Sequence, residues 1–270
     1  MPTDCANMTC WVFGATAFIL GAILGSFLNV VIHRGPRKWR LIDGEDRGGF
    51  AFPRSYCPSC RSPIRSVHLL PLASFFLLGG KCADCGARIP LRYPLVELAG
   101  ALAGLSAFML FGLSPLAAAA FVFFLLMITL AAIDAETGYL PDALTYPLII
   151  LGVVLNAFST FASPGAAILG AVIGYGAFWL IDLVFQRLRG VQGLGLGDAK
   201  LLAGIGAWLG WTVLPPVVFL AALLGLFSAG LMAVGGSKVT RETSIPFGPA
   251  LAASGSLALI AHGLRLPFFF

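Results

Sequence analysis

Long apolar runs separated by short polar junctions dominate the chain. They lie at about 11–33, 93–112, 115–133, 143–162, 165–186, 199–211, 213–234 and 247–265. Most approach the ~20 residues a helix needs to cross the hydrocarbon core of a bilayer. The pattern therefore predicts about eight transmembrane helices. The run 199–211 is short for a crossing, which predicts misplaced boundaries, a tilt, or a break at Pro215-Pro216. The first run is longer than a signal-peptide core and has Asp4 but no Lys or Arg before it, so it reads as a retained helix.

Two parts are visible. Residues 1–92 comprise one span and a polar insert, whereas 93–270 form a bundle with short loops. Within the insert, 69–79 (LLPLASFFLLG) is too short to span and is expected to lie in the interface or dip back toward the bundle. Glycines in LGAVIGYGAF and AGIGAWLG suit close helix–helix approach in lipid.

Composition narrows the class. Of 270 residues, 59% are hydrophobic and 11% charged, which excludes a soluble domain of this size. The expected fold is an all-α polytopic membrane protein. Its net charge of +5 is unevenly placed, with eleven of the 17 Lys and Arg between Arg34 and Arg92. Most others fall at Arg187, Arg189, Lys200, Lys238 and Arg241. Basic loops stay cytosolic. Eight spans starting from an outside N-terminus place 34–92, 187–200 and 235–246 together on the cytosolic side. Membrane orientation thus accounts for the basic residues, and no nucleic-acid partner is needed.

Cys57-Pro58-Ser59-Cys60 and Cys82-Ala83-Asp84-Cys85 form two C-x-x-C knuckles in that insert. Four thiolates at this spacing, in a reducing compartment, point to structural zinc, with Gly86 suited to the tight turn behind the second pair. A redox dithiol or free structural thiols are the alternatives. Cys5 and Cys10 fall outside in this topology, where they either pair or stay free.

Acidic residues are few, twelve in all, and two stand at the edges of apolar runs. Asp134 ends FVFFLLMITLAAID, and Asp198 closes the turn from Gly193 through Gly195 and Gly197. Ionisable groups at a membrane boundary are costly to desolvate, so each is a functional candidate. Both map to the cytosolic face, where a shared water would turn them into an acid–base pair. Asp198 begins a helix, whose dipole favours charge, and Asp134 ends one, whose dipole disfavours it. The bland alternative is that each terminates its helix at the interface. Lys200 is placed to balance the pair's charge or to bind a substrate carboxylate. Asp142 is placed to cap the next helix. Asp182 reads as structural, pairing with Arg187 or Arg189 or capping polar groups, and Glu97 is expected to bridge to Arg92.

These residues carry a resemblance. Gly25 through Arg34 looks like the N-terminal signature of the type IV prepilin peptidases, and Arg54–Cys60 with Cys82–Cys85 like their zinc loop. Arg92–Glu97 follows in the same order. Ile133–Thr145 resembles their first active-site segment, and Gly195-Leu196-Gly197-Asp198 through Leu202 the second, a GxGD signature. Ile245–Pro249 matches a further element. The resemblance covers nearly the whole chain. It implies an aspartyl peptidase of the bacterial inner membrane, with Asp134 and Asp198 as the catalytic pair. Such an enzyme removes the basic leader of pilin and pseudopilin precursors at the cytosolic face, then methylates the new N-terminus from S-adenosylmethionine. The chain departs from the family at Ile64–Pro71, where His68 and Leu69 occupy acidic and Asn positions, and methylation is the activity on which this bears. GLGLG follows no strand and is no dinucleotide fingerprint, so no methyl-donor site is legible. The competing classes are a peptidase without methylation, a proton- or cation-coupled transporter built on Asp134 and Asp198, and a zinc-folded assembly protein without catalysis.

Overall fold

A computed structural model describes residues 8–44, 48–190, 195–234 and 246–266, without the side chains of Arg189 and Ala233. Nearly all of the regular structure is helical: α1 (Met8–Lys38), α2 (Ala73–Leu77), α3 (Arg92–Phe111), α4 (Pro115–Thr137), α5 (Asp142–Asn156), α6 (Pro164–Arg189), α7 (Leu196–Leu209), α8 (Leu214–Val234) and α9 (Gly248–Gly263). Five of them, α1, α3, α4, α6 and α8, are long and apolar enough to cross a membrane. Each expected apolar run became a helix. However, α5, α7 and α9 hold only 15, 14 and 16 residues. The helices display Ile23, Phe27, Leu102, Val172, Phe219 and Leu226 to the outside, as lipid-facing surfaces require. The protein is a polytopic, all-α membrane protein.

The chain divides into two compact units, Met1–Thr129 and Leu130–Phe270. In the first, α1 packs along α3 through small residues. A Cβ on Gly100 would lie 2.5 Å from the Gly21 carbonyl oxygen, and one on Gly25 would lie 2.8 Å from that of Val96. Lipid tails give helices no hydrophobic reason to associate, so this backbone-to-backbone approach supplies the dispersion contact. Between these helices lies the polar insert, which includes α2 and its exposed Phe76 and Leu77.

In the second unit α7 is the central helix. Ala199 and every residue from Leu201 to Leu209 are buried, as in a helix that is apolar all round. At ~1.5 Å per residue it is too short to span ~30 Å, and it does not need to, because α5, α6 and α9 pack around it. The break expected near Pro215-Pro216 is displaced: α7 stops at Gly210, whose φ of 86° admits few other residues, and the proline pair opens α8. The run expected over 143–162 likewise ends at Asn156. This buried side chain donates to the carbonyls of Ala207 and Trp208 and accepts from the N–H groups of Phe161 and Ala162. It thereby satisfies the free end of α7 and the turn into α6, where Ser163 caps the helix and Pro164 begins it. Trp208 completes the tie by donating to the Leu148 carbonyl at 2.8 Å.

Candidate active site and metal centre

Asp134 lies one turn before the end of α4 and is 5% exposed. Asp198 sits in the first turn of α7, half-buried. The second unit brings them together, since the Asp134 carboxylate acts electrostatically on Asp198. No hydrogen bond joins the two. Residues 191–194, including Gly193 of the glycine turn, lie outside the described residues. The two remaining glycines have separate reasons. Gly195 stands before α7 in extended conformation beside Asp198, and Gly197 packs so closely on Leu140 that a Cβ would lie 2.9 Å from that of the leucine.

Asp134 has a partner the sequence reading missed. Its Oδ2 accepts the backbone N–H of Gly248 at 3.0 Å. Gly248 is the first residue of α9, so this N–H is one of those a helix leaves without an internal partner. Asp134 therefore meets the positive end of α9 as well as the negative end of α4. The asymmetry expected from helix dipoles is offset, and both carboxylates face a helix N-terminus. A Cβ at residue 248 would fall 2.6 Å from Asp134 Oδ2, so only glycine permits this approach. The signal was present in Pro246-Phe247-Gly248-Pro249, but sequence spacing does not say which atom a backbone N–H meets. Ile245 of that motif lies outside the described residues.

Asp142 and Glu97 resolve differently from expectation, and Asp182 takes a structural partner. Asp142 is the first residue of α5 and makes no cap, pairing instead with Lys200, whose ammonium also lies 5.1 Å from the centre of the Tyr146 ring. Glu97 accepts the Leu72 N–H at 2.8 Å, tying the insert to α3, while the Arg92 guanidinium stacks 4.6 Å from the Tyr93 ring centre. Asp182 is buried and accepts from Gln186 within its own helix. Cys10 takes part in a disulfide, and Cys5 lies outside the described residues.

The four insert cysteines converge in the first unit, with all sulfurs within 4.8 Å of one another. The Cys57 and Cys85 sulfurs are 3.8 Å apart, the edge length of a tetrahedron with Zn–S bonds of about 2.3 Å. The two knuckles repeat one geometry. Cys57 donates its N–H to Ser62 and accepts from Arg61, while Cys82 donates to Ala87 and accepts from Gly86. Arg61 and Gly86 occupy equivalent left-handed positions, with φ of 59° and 73°. Backbone N–H groups of Cys60 and Ser59 hold the Cys57 thiol below its ordinary pKa, and those of Cys85 and Asp84 do the same for Cys82. The Ala87 N–H would lower Cys85 too, yet the surrounding sulfurs, Cys60 first, push it up to about 12. A fourth thiolate among three is unfavourable until a cation neutralises them, so the donor set fits Zn2+. Purified protein is expected to carry one zinc per chain. Cys82→Ser should lose it and expose residues 54–91 to proteolysis, with metal content read by mass spectrometry and cleavage on a gel.

Two aspartates at helix ends in the second unit and a four-thiol cluster in the first mark a polytopic membrane protein with a cysteine-rich insert. Residues 19–111 match the bacterial peptidase A24 N-terminal domain, and residues 121–230 match the type IV leader peptidase family. Three relatives named "Prepilin leader peptidase/N-methyltransferase" illustrate the likeness. The protein of Burkholderia pseudomallei (strain 1026b) is 43% identical over 91% of this chain and 84% of its own length. That of Neisseria gonorrhoeae is 42% identical over 91% and 90%, and that of Pseudomonas aeruginosa 40% over 92% and 90%. No solved structure matches. The chain belongs to the type IV leader peptidase family.

Proposed function

We propose that the chain is a bifunctional prepilin leader peptidase and N-methyltransferase of the bacterial inner membrane, with Asp134 and Asp198 as its peptidase pair. The observation that carries this reading is the convergence of Asp134 and Asp198 in one unit, with Gly248 fixing one of them. The two carboxylates share a proton. One withdraws a proton from water as the water attacks the scissile carbonyl, and the other protonates the departing amine. Both lie near helix ends, at the cytosolic boundary where a precursor's basic leader meets its apolar helix. Transport would instead favour carboxylates at broken helices in mid-membrane. Lys200, held by Asp142, lies two residues from Asp198 and contributes positive charge beside the pair.

The methyl donor, S-adenosylmethionine, supplies a methyl group to the free amine that cleavage creates. The zinc loop is structural, as four cysteine ligands leave zinc no open position. The test is to incubate purified prepilin with the enzyme and S-adenosylmethionine, then read the mature N-terminus by mass spectrometry. Leader removal with one added methyl group is expected. An uncut precursor sinks the peptidase reading, and a cut but unmodified product sinks the methyltransferase half.

A further inference from the structure

Thr16 in α1 and Thr129 and Thr137 in α4 each donate their hydroxyl to the carbonyl four residues earlier. Thr145 in α5 does not. The carbonyl it would reach, that of Pro141, already accepts the N–H groups of Leu144 and Thr145 at 3.0 Å each. A carbonyl oxygen has two lone pairs, and both are taken. The Thr145 hydroxyl is left without a hydrogen-bond partner on a residue that is 0% exposed. A buried hydroxyl in that state costs stability, so it calls for a reason beyond packing.

The register of α5 against α7 supplies one. The two helices run side by side in the same direction within the second unit. Leu140 meets Gly197, Asp142 pairs with Lys200, and Leu148 meets Gly204 and accepts from Trp208. Thr145 belongs to the buried stripe of α5 that faces α7, with Leu148, Gly152 and Asn156. That register sets it about level with Leu201, roughly 4.5 Å along α7 from Asp198. Asp134 already has a fixed donor, the N–H of Gly248. Asp198 is half-buried and has no such donor from Asp134.

We propose that Thr145 is the positioning residue for Asp198. This rests on the peptidase reading above. Once a prepilin lies between the two aspartates, the Thr145 hydroxyl donates to one oxygen of the Asp198 carboxylate. The other oxygen is then held toward Asp134 and the attacking water, and the side chain loses the rotation that would take it out of line. Thr145 does for Asp198 what Gly248 does for Asp134.

Thr145→Val keeps the branched shape and deletes the hydroxyl. A residue that only fills space would lose nothing but an unpaired donor, so the variant would melt no lower than wild type and cleave prepilin normally. We expect the detergent-solubilised full chain to keep its melting temperature while kcat falls about 10- to 100-fold, with KM little changed. Thr145→Ser should restore most of the rate. On an Asp198→Asn background Thr145→Val should cost nothing further, because the hydroxyl acts through that carboxylate. Methylation of leaderless pilin should be unaffected throughout. Wild-type kcat in Thr145→Val, a loss of rate that comes with a lower melting temperature, or a serine variant as slow as valine each overturns the assignment and leaves the peptidase reading intact. A wild-type enzyme that leaves the leader in place overturns that reading, and this assignment with it.

Discussion

Replacing Asp198 by asparagine should reduce prepilin cleavage by about 10²–10⁴-fold, the range expected when a positioned acid–base group is lost. Asparagine keeps the volume and polarity of the side chain but cannot carry the proton. Asp134→Asn should do the same. The double variant should be hardly worse than either single one, because groups that act as a unit lose their function together. That non-additivity separates a catalytic pair from two helix-terminating residues, whose effects would be independent and would add. Initial rates on purified prepilin measure all three. Leader removal at near wild-type rate by either single variant would dismiss the pair. Methylation of an already cut pilin by the same variants shows that they have folded.

Gly248→Ala carries the second large effect, from one methyl group. Its Cβ would stand 2.6 Å from Asp134 Oδ2 and 2.9 Å from Cγ, so the carboxylate must move and the 3.0 Å bond from the backbone must break. Displacing a reacting group by about 1 Å can cost on the order of 100-fold in rate, and we expect a loss of that size in cleavage. Methylation of leaderless pilin should be unaffected. Gly230→Ala is the control, since a Cβ there meets nothing within 4 Å, and its rate should stay within about twofold of wild type. Equal losses in the two variants would indicate that helix glycines matter only for general packing.

Much of the molecule was legible beforehand because a membrane simplifies the problem. Lipid cannot satisfy a backbone polar group, so each long apolar run had to be a helix, and every expected run became one. The knuckles were legible for a similar reason. Two residues between cysteines leave the chain few ways to bring two sulfurs to one metal. The ends of helices were less so. Asn156 stops α5 early because its side chain meets the end of α7, far along the chain, and Asp142 makes no cap because it stands one residue inside the helix, after Pro141, and pairs with Lys200.

By itself, the sequence determined the class, the helices, the four-cysteine cluster and the two aspartates worth suspecting, since each depends on residue type and local spacing. Only the tertiary structure decided which helices surround α7 and let it remain short. It alone aimed the first N–H of α9 at Asp134, and it alone buried a Thr145 hydroxyl with no partner. Those outcomes depend on distances between atoms remote in the chain. Packing of small residues sets such distances to within a few tenths of an ångström, and hydrophobic pattern carries no information at that scale.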